Sequence, residues 1–391
     1  PLMKRIGIAA AKAGAIEAVA STGGLIMPPI MGAAAFIAAQ NARMTYIDFA
    51  IAATIPALFY FLSLFIFVDL EGRKYGIRDD TPRERGATAL ALLREAAWIA
   101  PPFFILVYML VQGYSPGRCA GVALLALGGA IFVRFGPRDG FRFVLEGLIE
   151  GARASAPLLV AAAAAGIVIS MVYLSGLGLR FTSLIVTVAG ENLLACLVLV
   201  ALATLVLGMG LPITASYLTA ATLAVPALKT LGVSDLAGHM FVFYFAAISA
   251  ITPPVALASY AAAGVANAPF WSTSMEACRV GLIAFVVPFV FVYRPELLYW
   301  GASAGSIAYV TVTGVVGIFA LCCAAVGYLN SRLTIIERLI LGACALTLII
   351  VPRLEFDIAS VAVIIVVAAL RLRRGAAALY EEGQKQAGIE Q

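Results

Sequence analysis

The chain has 391 residues, of which 63% are hydrophobic and 12% charged, and its mean hydropathy is +1.02. It is far more apolar and less charged than an ordinary soluble domain, which defines a polytopic membrane protein. The formal charge of +5 sits in short loops between apolar runs, where such residues set topology, and gives nucleic-acid binding almost no support.

The first apolar run, about Gly14 to Gln40, stops at Ser21-Thr22-Gly23-Gly24-Leu25-Ile26-Met27-Pro28-Pro29 and starts again. It is too short for two full crossings of about 20 residues each, yet it has a punctuated centre. We read it as a re-entrant hairpin, against the alternative of one helix kinked by proline. Crossings are predicted next near Ile47 to Asp69, Ala97 to Gln112, Arg118 to Phe135 and Ser155 to Gly176. The stretch from Glu191 to Lys229 would run roughly 58 Å as continuous helix, nearly twice a hydrocarbon core of about 30 Å. It must break or tilt, and Gly208-Met209-Gly210-Leu211-Pro212 marks the place.

A second hairpin is predicted over about Ala237 to Ala266, centred on Ser249-Ala250-Ile251-Thr252-Pro253-Pro254. Crossings near Ala277 to Leu298, Ser303 to Leu329, Leu333 to Val351 and Asp357 to Leu370 complete the chain. The blocks are therefore 1–46, the first hairpin; 47–153, connecting spans with basic loops; 154–300, a second repeat with the broken helix and second hairpin; and 301–391, extra spans and a cytoplasmic tail.

Arg73, Lys74, Arg78, Arg83, Arg85 and Arg94, then Arg134, Arg138, Arg142 and Arg153, then Arg332 and Arg338, then Arg371, Arg373 and Arg374 all fall on one side. That side is expected to be cytoplasmic, although Lys4, Arg5, Lys12 and Arg43 dissent. An odd number of crossings separates the hairpins, so their open ends face opposite ways, the signature of an inverted repeat. Counting the Pro212-to-Pro253 separation back from Pro28 passes the start of the chain, which opens at Pro1 without an initiator methionine or a cleavable leader. The first half's broken helix is thus expected in polypeptide that precedes this sequence.

Breaks inside a bilayer expose backbone groups that lipid does not receive. A half-helix ending in mid-membrane presents carbonyls without intrahelical donors and a partial negative charge. Ser21, Thr22, Gly23 and Gly24 end the first arm of hairpin one, and Ser249, Ala250 and Thr252 that of hairpin two. Hydroxyls and bare carbonyls are hard donors without full charge, suited to Na+ that must bind and leave. Carboxylates would favour a divalent ion. The returning arms are read as beginning at Pro28-Pro29 and Pro253-Pro254, with amino ends that favour an anion through later amides such as those of Ile30 and Val255. Carbonyls around Gly208 and Gly210, beside Pro212, are expected to form a cation site with Thr214, Ser249 and Thr252. The bland alternative is a packing kink.

Glu17 either orients the first tip, relays protons or is a solvated capping residue. His239, the single histidine, is expected with Asp235 in an interfacial, non-catalytic place. Six cysteines without a C-x-x-C pattern read as small buried hydrophobes. Gly208-x-Gly210 lacks the strand and spacing of a nucleotide loop, and no H-E-x-x-H, G-x-S-x-G or Walker lysine is present.

The runs Glu17 to Phe36, Gly208 to Tyr217 and His239 to Gly264 closely resemble the large membrane subunit of tripartite ATP-independent periplasmic (TRAP) transporters, most of all the fused form that works with TAXI-type binding proteins. Three separate motifs occur in order over roughly residues 1–300, and the tail from about Ser303 matches only loosely. The resemblance implies an all-α, inverted-repeat, elevator-type carrier in the bacterial inner membrane. It would be driven by Na+ and receive a small carboxylate from a periplasmic binding protein, with a small membrane subunit or its fused equivalent as scaffold. It implies no enzyme activity and no cofactor beyond the coupling ion. The chain departs from the family in lacking the amino-terminal spans, so one ion site, that of Ser21, Thr22 and Gly23, is expected to be incomplete. Competing readings are a proton-coupled carrier using Glu17, a membrane-embedded enzyme and an ion channel.

Overall fold

The computed structural model describes residues 2–76, 97–299, 301–351 and 353–389, with side chains left undescribed at 372–389 and at several positions between 154 and 173. The predicted basic positions Arg78, Arg83, Arg85 and Arg94, and the side chains of Arg373 and Arg374, lie outside it. Among the described residues the regular secondary structure is helical except for a two-strand ladder, Tyr328–Leu329 against Ser331–Arg332.

In chain order the helices are α1 Leu2–Arg5, α2 Ala10–Gly23, α3 Ala33–Asn41, α4 Tyr46–Lys74, α5 Ala100–Val111, α6 Pro116–Leu174, α7 Leu177–Ala189, α8 Leu193–Gly208, α9 Ile213–Thr230, α10 Asp235–Ile248, α11 Leu257–Ala266, α12 Phe270–Val280, α13 Leu282–Tyr293, α14 Ala304–Val326, α15 Ile335–Ile350 and α16 Leu354–Ile389. Local chemistry sets several ends. Asn192 caps α8 by accepting from the Ala195 amide at 3.0 Å, and Thr334 with Glu337 forms a capping box on α15. Gly327 ends α14 at φ 70°, a left-handed conformation that suits glycine.

Among the described residues, four helical stretches are long and apolar enough to cross a membrane: Tyr46–Lys74, Pro116–Arg153, Phe270–Tyr293 and Ala304–Val326. Two differences from the sequence reading stand out. The basic segment expected as a loop between the Phe135 and Ser155 crossings is helical: α6 is two helices that meet at the non-helical Gly136, φ 76° and ψ 173°, and the second of them carries the segment. An additional helix, α7, lies where no element was predicted; Arg180 interrupts its apolar pattern and the stretch is too short to read as a crossing.

The chain divides into two compact units. The first comprises Pro1–Met27, Ala52–Asp79 and Ala247–Gln391. Within it α2 packs on α11, α12 and the 3-10 turn Ser249–Ile251, and α14, α15 and α16 pack in sequence. A Cβ on Gly14 would meet the Ala262 carbonyl at 3.2 Å and Thr273 Cγ2 at 3.1 Å, so glycine permits the close approach of α2 to α11 and α12. The second unit comprises Pro28–Ile51 and Asp80–Ala246, in which α9 packs on α3, α6, α7 and α8.

Candidate functional site

All three predicted breaks are present. Helix α2 stops at Gly23 and α3 starts at Ala33; α8 stops at Gly208 and α9 starts at Ile213; α10 passes into the 3-10 turn Ser249–Ile251 and α11 starts at Leu257. Gly210 takes φ +75°, which only glycine adopts freely. The two Pro-Pro bonds, Pro28-Pro29 and Pro253-Pro254, are both cis.

The position of the prolines corrects one expectation. They do not open the returning arms: α3 begins after Gly32 and α11 after Ala256, which is left-handed at φ 39°. Proline restricts the residue before it to extended backbone, and the second proline of each pair imposes this on the first, so the pair delays the helix. The amides of the first turns are those from Ala33 and from Leu257 onward, not those of Ile30 and Val255.

A second correction concerns the carbonyls. The Ser21, Thr22 and Gly23 carbonyls accept from the amides of Gly24 at 3.2 Å, Leu25 at 3.1 Å and Ile26 at 3.1 Å. Likewise Leu211 donates to the Gly208 carbonyl at 3.3 Å, and Thr252 to that of Ser249 at 3.2 Å. Tight i-to-i+3 turns therefore cap the ends that looked bare.

In the first unit Ser21, Thr22, Gly23 and Gly24 share a body with Ser249, Thr252 and Pro253. Thr22 and Thr252 each donate their hydroxyl to the carbonyl four residues back, Ala18 at 2.8 Å and Ile248 at 2.9 Å. The hydrogens are thus engaged and the oxygen lone pairs are what remains to offer. Gly23 has a packing reason as well, since a Cβ there would meet the Tyr60 ring at 2.6 Å and the Phe61 ring at 2.7 Å. Tyr60 donates to the Val19 carbonyl at 2.6 Å. Ser259 and Cys278 reach the Ile251 carbonyl at 3.4 and 3.8 Å, fixing the 3-10 turn against α11 and α12. A cavity of about 540 Å³ between α1, α2 and α11 is lined by Lys4, Gly14, Glu17, Ser21, Ala258 and Ala262 among others. Ser21 donates to Glu17 at 3.3 Å there, and Lys4 donates to the Ala266 carbonyl at 2.7 Å.

In the second unit lie Pro28, Gly208, Gly210, Pro212 and Thr214. Tyr46 clasps the loop after Pro28: its hydroxyl donates to the Pro29 carbonyl at 2.7 Å, receives the Met31 amide at 3.3 Å, and its ring stacks on Phe36 at 4.1 Å. Each unit takes one arm from each Pro-Pro break: α2 and α11 in the first, α3 and nearly all of α10 in the second.

His239 is buried and bonded to the Tyr217 hydroxyl at 2.9 Å, while its expected neighbour Asp235 is paired with Lys229 at 2.6 Å. The Lys229 ammonium holds the Asp235 carboxyl below the usual carboxylate range. Sequence reading missed Tyr46, Tyr60 and Tyr217, whose sole signal was an aromatic with a polar tip in an apolar run. It also missed Glu71, which is buried between Lys12 at 2.9 Å and Arg279 at 3.1 Å.

A helical membrane protein interrupted at Gly/Pro-rich positions within its apolar stretches has the construction of a secondary carrier component. The family model for the tripartite ATP-independent periplasmic transporter, DctM component, matches residues 1–306, and the chain belongs to that family. No curated protein matches the chain. Membership makes it a membrane component of a transporter and places it in a transporter family rather than an enzyme family. The DctM family carries out secondary transport of organic acids, together with a periplasmic substrate-binding protein and a small membrane subunit.

Proposed function

We propose that the chain is the permease of a Na+-driven importer that receives a small organic anion, a carboxylate, from a TAXI-type periplasmic binding protein. It works in the bacterial inner membrane with a small TRAP subunit or its fused equivalent, by an elevator-type motion. The observation that carries this reading is the coincidence of all three helix interruptions with the hydroxyl, glycine and proline residues of the family-matched stretch.

Na+ is treated as cargo bound by uncharged oxygens. Within the first unit these are the Ser21, Thr22, Gly23, Ser249 and Thr252 oxygens, and within the second those of Gly208, Gly210 and Thr214. Gly24, Pro28, Pro212 and Pro253 shape the turns that present them. The donor set fits a weakly held monovalent ion, because the Thr22 and Thr252 hydroxyls spend their hydrogens on carbonyls and have oxygen lone pairs to offer. The anionic group is favoured by the amino ends of α3, α9 and α11.

Uptake in proteoliposomes containing the full-length protein, with and without Na+ and the binding protein, tests this. Accumulation should require both; uptake that ignores Na+ overturns the coupling assignment. A proton-coupled reading keeps one observation in its favour, since Glu17 lines the 540 Å³ cavity beside Ser21. Glu17→Gln separates the two: it abolishes the pH dependence of a proton-coupled carrier and leaves that of a Na+-coupled one intact.

A further inference from the structure

The second unit contains a polar chain, running from exposed Asn41 to buried Tyr217 and His239, that the transport reading does not use. The Asn41 amide nitrogen lies 3.3 Å from the Tyr217 hydroxyl oxygen, and that hydroxyl lies 2.9 Å from Nδ1 of His239. Asn41 is the last residue of α3, Tyr217 stands in the second turn of α9, and His239 lies near the start of α10. Each of these helices adjoins one of the three breaks: α3 leaves the Pro28-Pro29 loop, α9 leaves the Gly208–Pro212 turn, and α10 leads into Ser249–Ile251.

We propose that Asn41, Tyr217 and His239 form a proton-sensitive latch that joins α3, α9 and α10 while the imidazole is neutral and loosens when it is protonated. The donor count carries the argument. Asn41 donates from its NH2 group, so the Tyr217 oxygen accepts that hydrogen and sends its own to Nδ1 of a neutral His239. An imidazolium bears hydrogen on both nitrogens and cannot accept. The Tyr217 hydrogen would then lose its acceptor in a place where Tyr217 is fully buried and His239 is 9% exposed. A buried donor left without a partner is costly, so protonation disfavours this arrangement of the latch. T-shaped contact with Phe243, at 6.3 Å between ring centres, keeps the phenol from swinging to another partner.

The charged groups around the imidazole support the direction. Burial of the imidazole and Lys229 of α9 oppose a positive charge there, while Asp235 of α10 favours it but is held by Lys229 at 2.6 Å. The latch therefore holds in neutral surroundings and releases on acidification.

In the full-length protein produced without a histidine tag and labelled at imidazole nitrogen, the signal that His239→Gln removes reports this site by NMR. The thermal unfolding midpoint of the same sample, followed from pH 8 to pH 5, reads the latch without any transport assay, so its outcome is separate from that of the proposed function. In the wild-type protein the midpoint should fall on acidification. His239→Gln, whose amide oxygen accepts from Tyr217 and does not titrate, should keep the neutral-pH midpoint throughout. Tyr217→Phe should flatten the pH dependence and raise the imidazole titration midpoint, because no hydroxyl is then stranded. Identical pH curves for the wild-type protein and His239→Gln, or an imidazole titration that Tyr217→Phe leaves unmoved, would overturn the proposal. Should Tyr217→Phe fail to fold, the comparison with His239→Gln decides alone.

Discussion

Arg294 gives one terminal nitrogen, Nη2, to both carboxylate oxygens of Asp357 at 2.9 Å, with 4% and 2% of the two side chains exposed. The same nitrogen lies 3.1 Å from the Leu348 carbonyl and 2.9 Å from that of Val351, and Tyr309 donates to Asp357 at 2.6 Å. Arg294 belongs to the family-matched stretch and Asp357 lies beyond it. A buried charge pair thus fastens the carboxyl-terminal helices α15 and α16 to the end of α13.

Removing one member should leave the other charge uncompensated. Arg294→Leu or Asp357→Leu is expected to cost about 3–5 kcal/mol, and the double apolar variant to recover most of it. A double-mutant cycle on thermal unfolding in detergent checks this. The exposed pair Lys229–Asp235 is the control: Asp235→Asn should change stability by less than about 1 kcal/mol.

Neighbouring glycines in the first tip should respond differently. Gly23→Ala places a methyl 2.6 Å from the Tyr60 ring, whereas Gly24→Ala meets nothing closer than the Ser21 carbonyl at 3.3 Å and sits at an ordinary φ of −61°. Overpacking should cost Gly23→Ala about 1–3 kcal/mol. Equal unfolding midpoints for the two variants would refute the packing role.

Tyr60→Phe deletes the 2.6 Å bond to the Val19 carbonyl and leaves that acceptor buried against the ring. A loss of about 1–3 kcal/mol is expected, and hydrogen exchange should speed first at the carboxyl-terminal turns of α2. Unchanged protection there would show that the bond does not hold the arm.

For the coupling ion, Thr252→Val and Thr214→Val each remove one hydroxyl oxygen with little change in shape. If these oxygens touch Na+, half-saturation for Na+ should rise by about ten- to a hundredfold, as expected for losing about 1.5–3 kcal/mol with a charged partner. Uptake with an unaltered Na+ dependence in both variants would remove them from the site.

The interruptions were legible because proline and glycine act locally. Pro212 cannot supply the amide that a continuous helix would need, and Gly210 can take a positive φ wherever the chain requires it. The same local chemistry explains the errors. Arg134, Arg138, Arg142 and Arg153 look like a loop because charge marks a membrane edge, yet the chain is helical on both sides of the Gly136-Pro137 break; Arg142 and Glu146 even pair at 2.8 Å one turn apart. Tyr46, Tyr60 and Tyr217 escaped notice because an aromatic in an apolar run carries no mark of the carbonyl or imidazole its hydroxyl will find.

Composition, apolar run length and the placement of glycine and proline by themselves determined a polytopic helical membrane protein broken at three places, since each follows from backbone geometry and water exclusion within a few residues. Tertiary structure alone decided how the pieces are shared: α2 packs with α11 in one unit and α3 with α9 in the other, so neither Pro-Pro break keeps both arms in one body. It also decided that Asp357 faces Arg294 and that His239 faces Tyr217. Such pairings join residues far apart in the chain, and their energy comes from burial and hydrogen-bond geometry that no local pattern encodes.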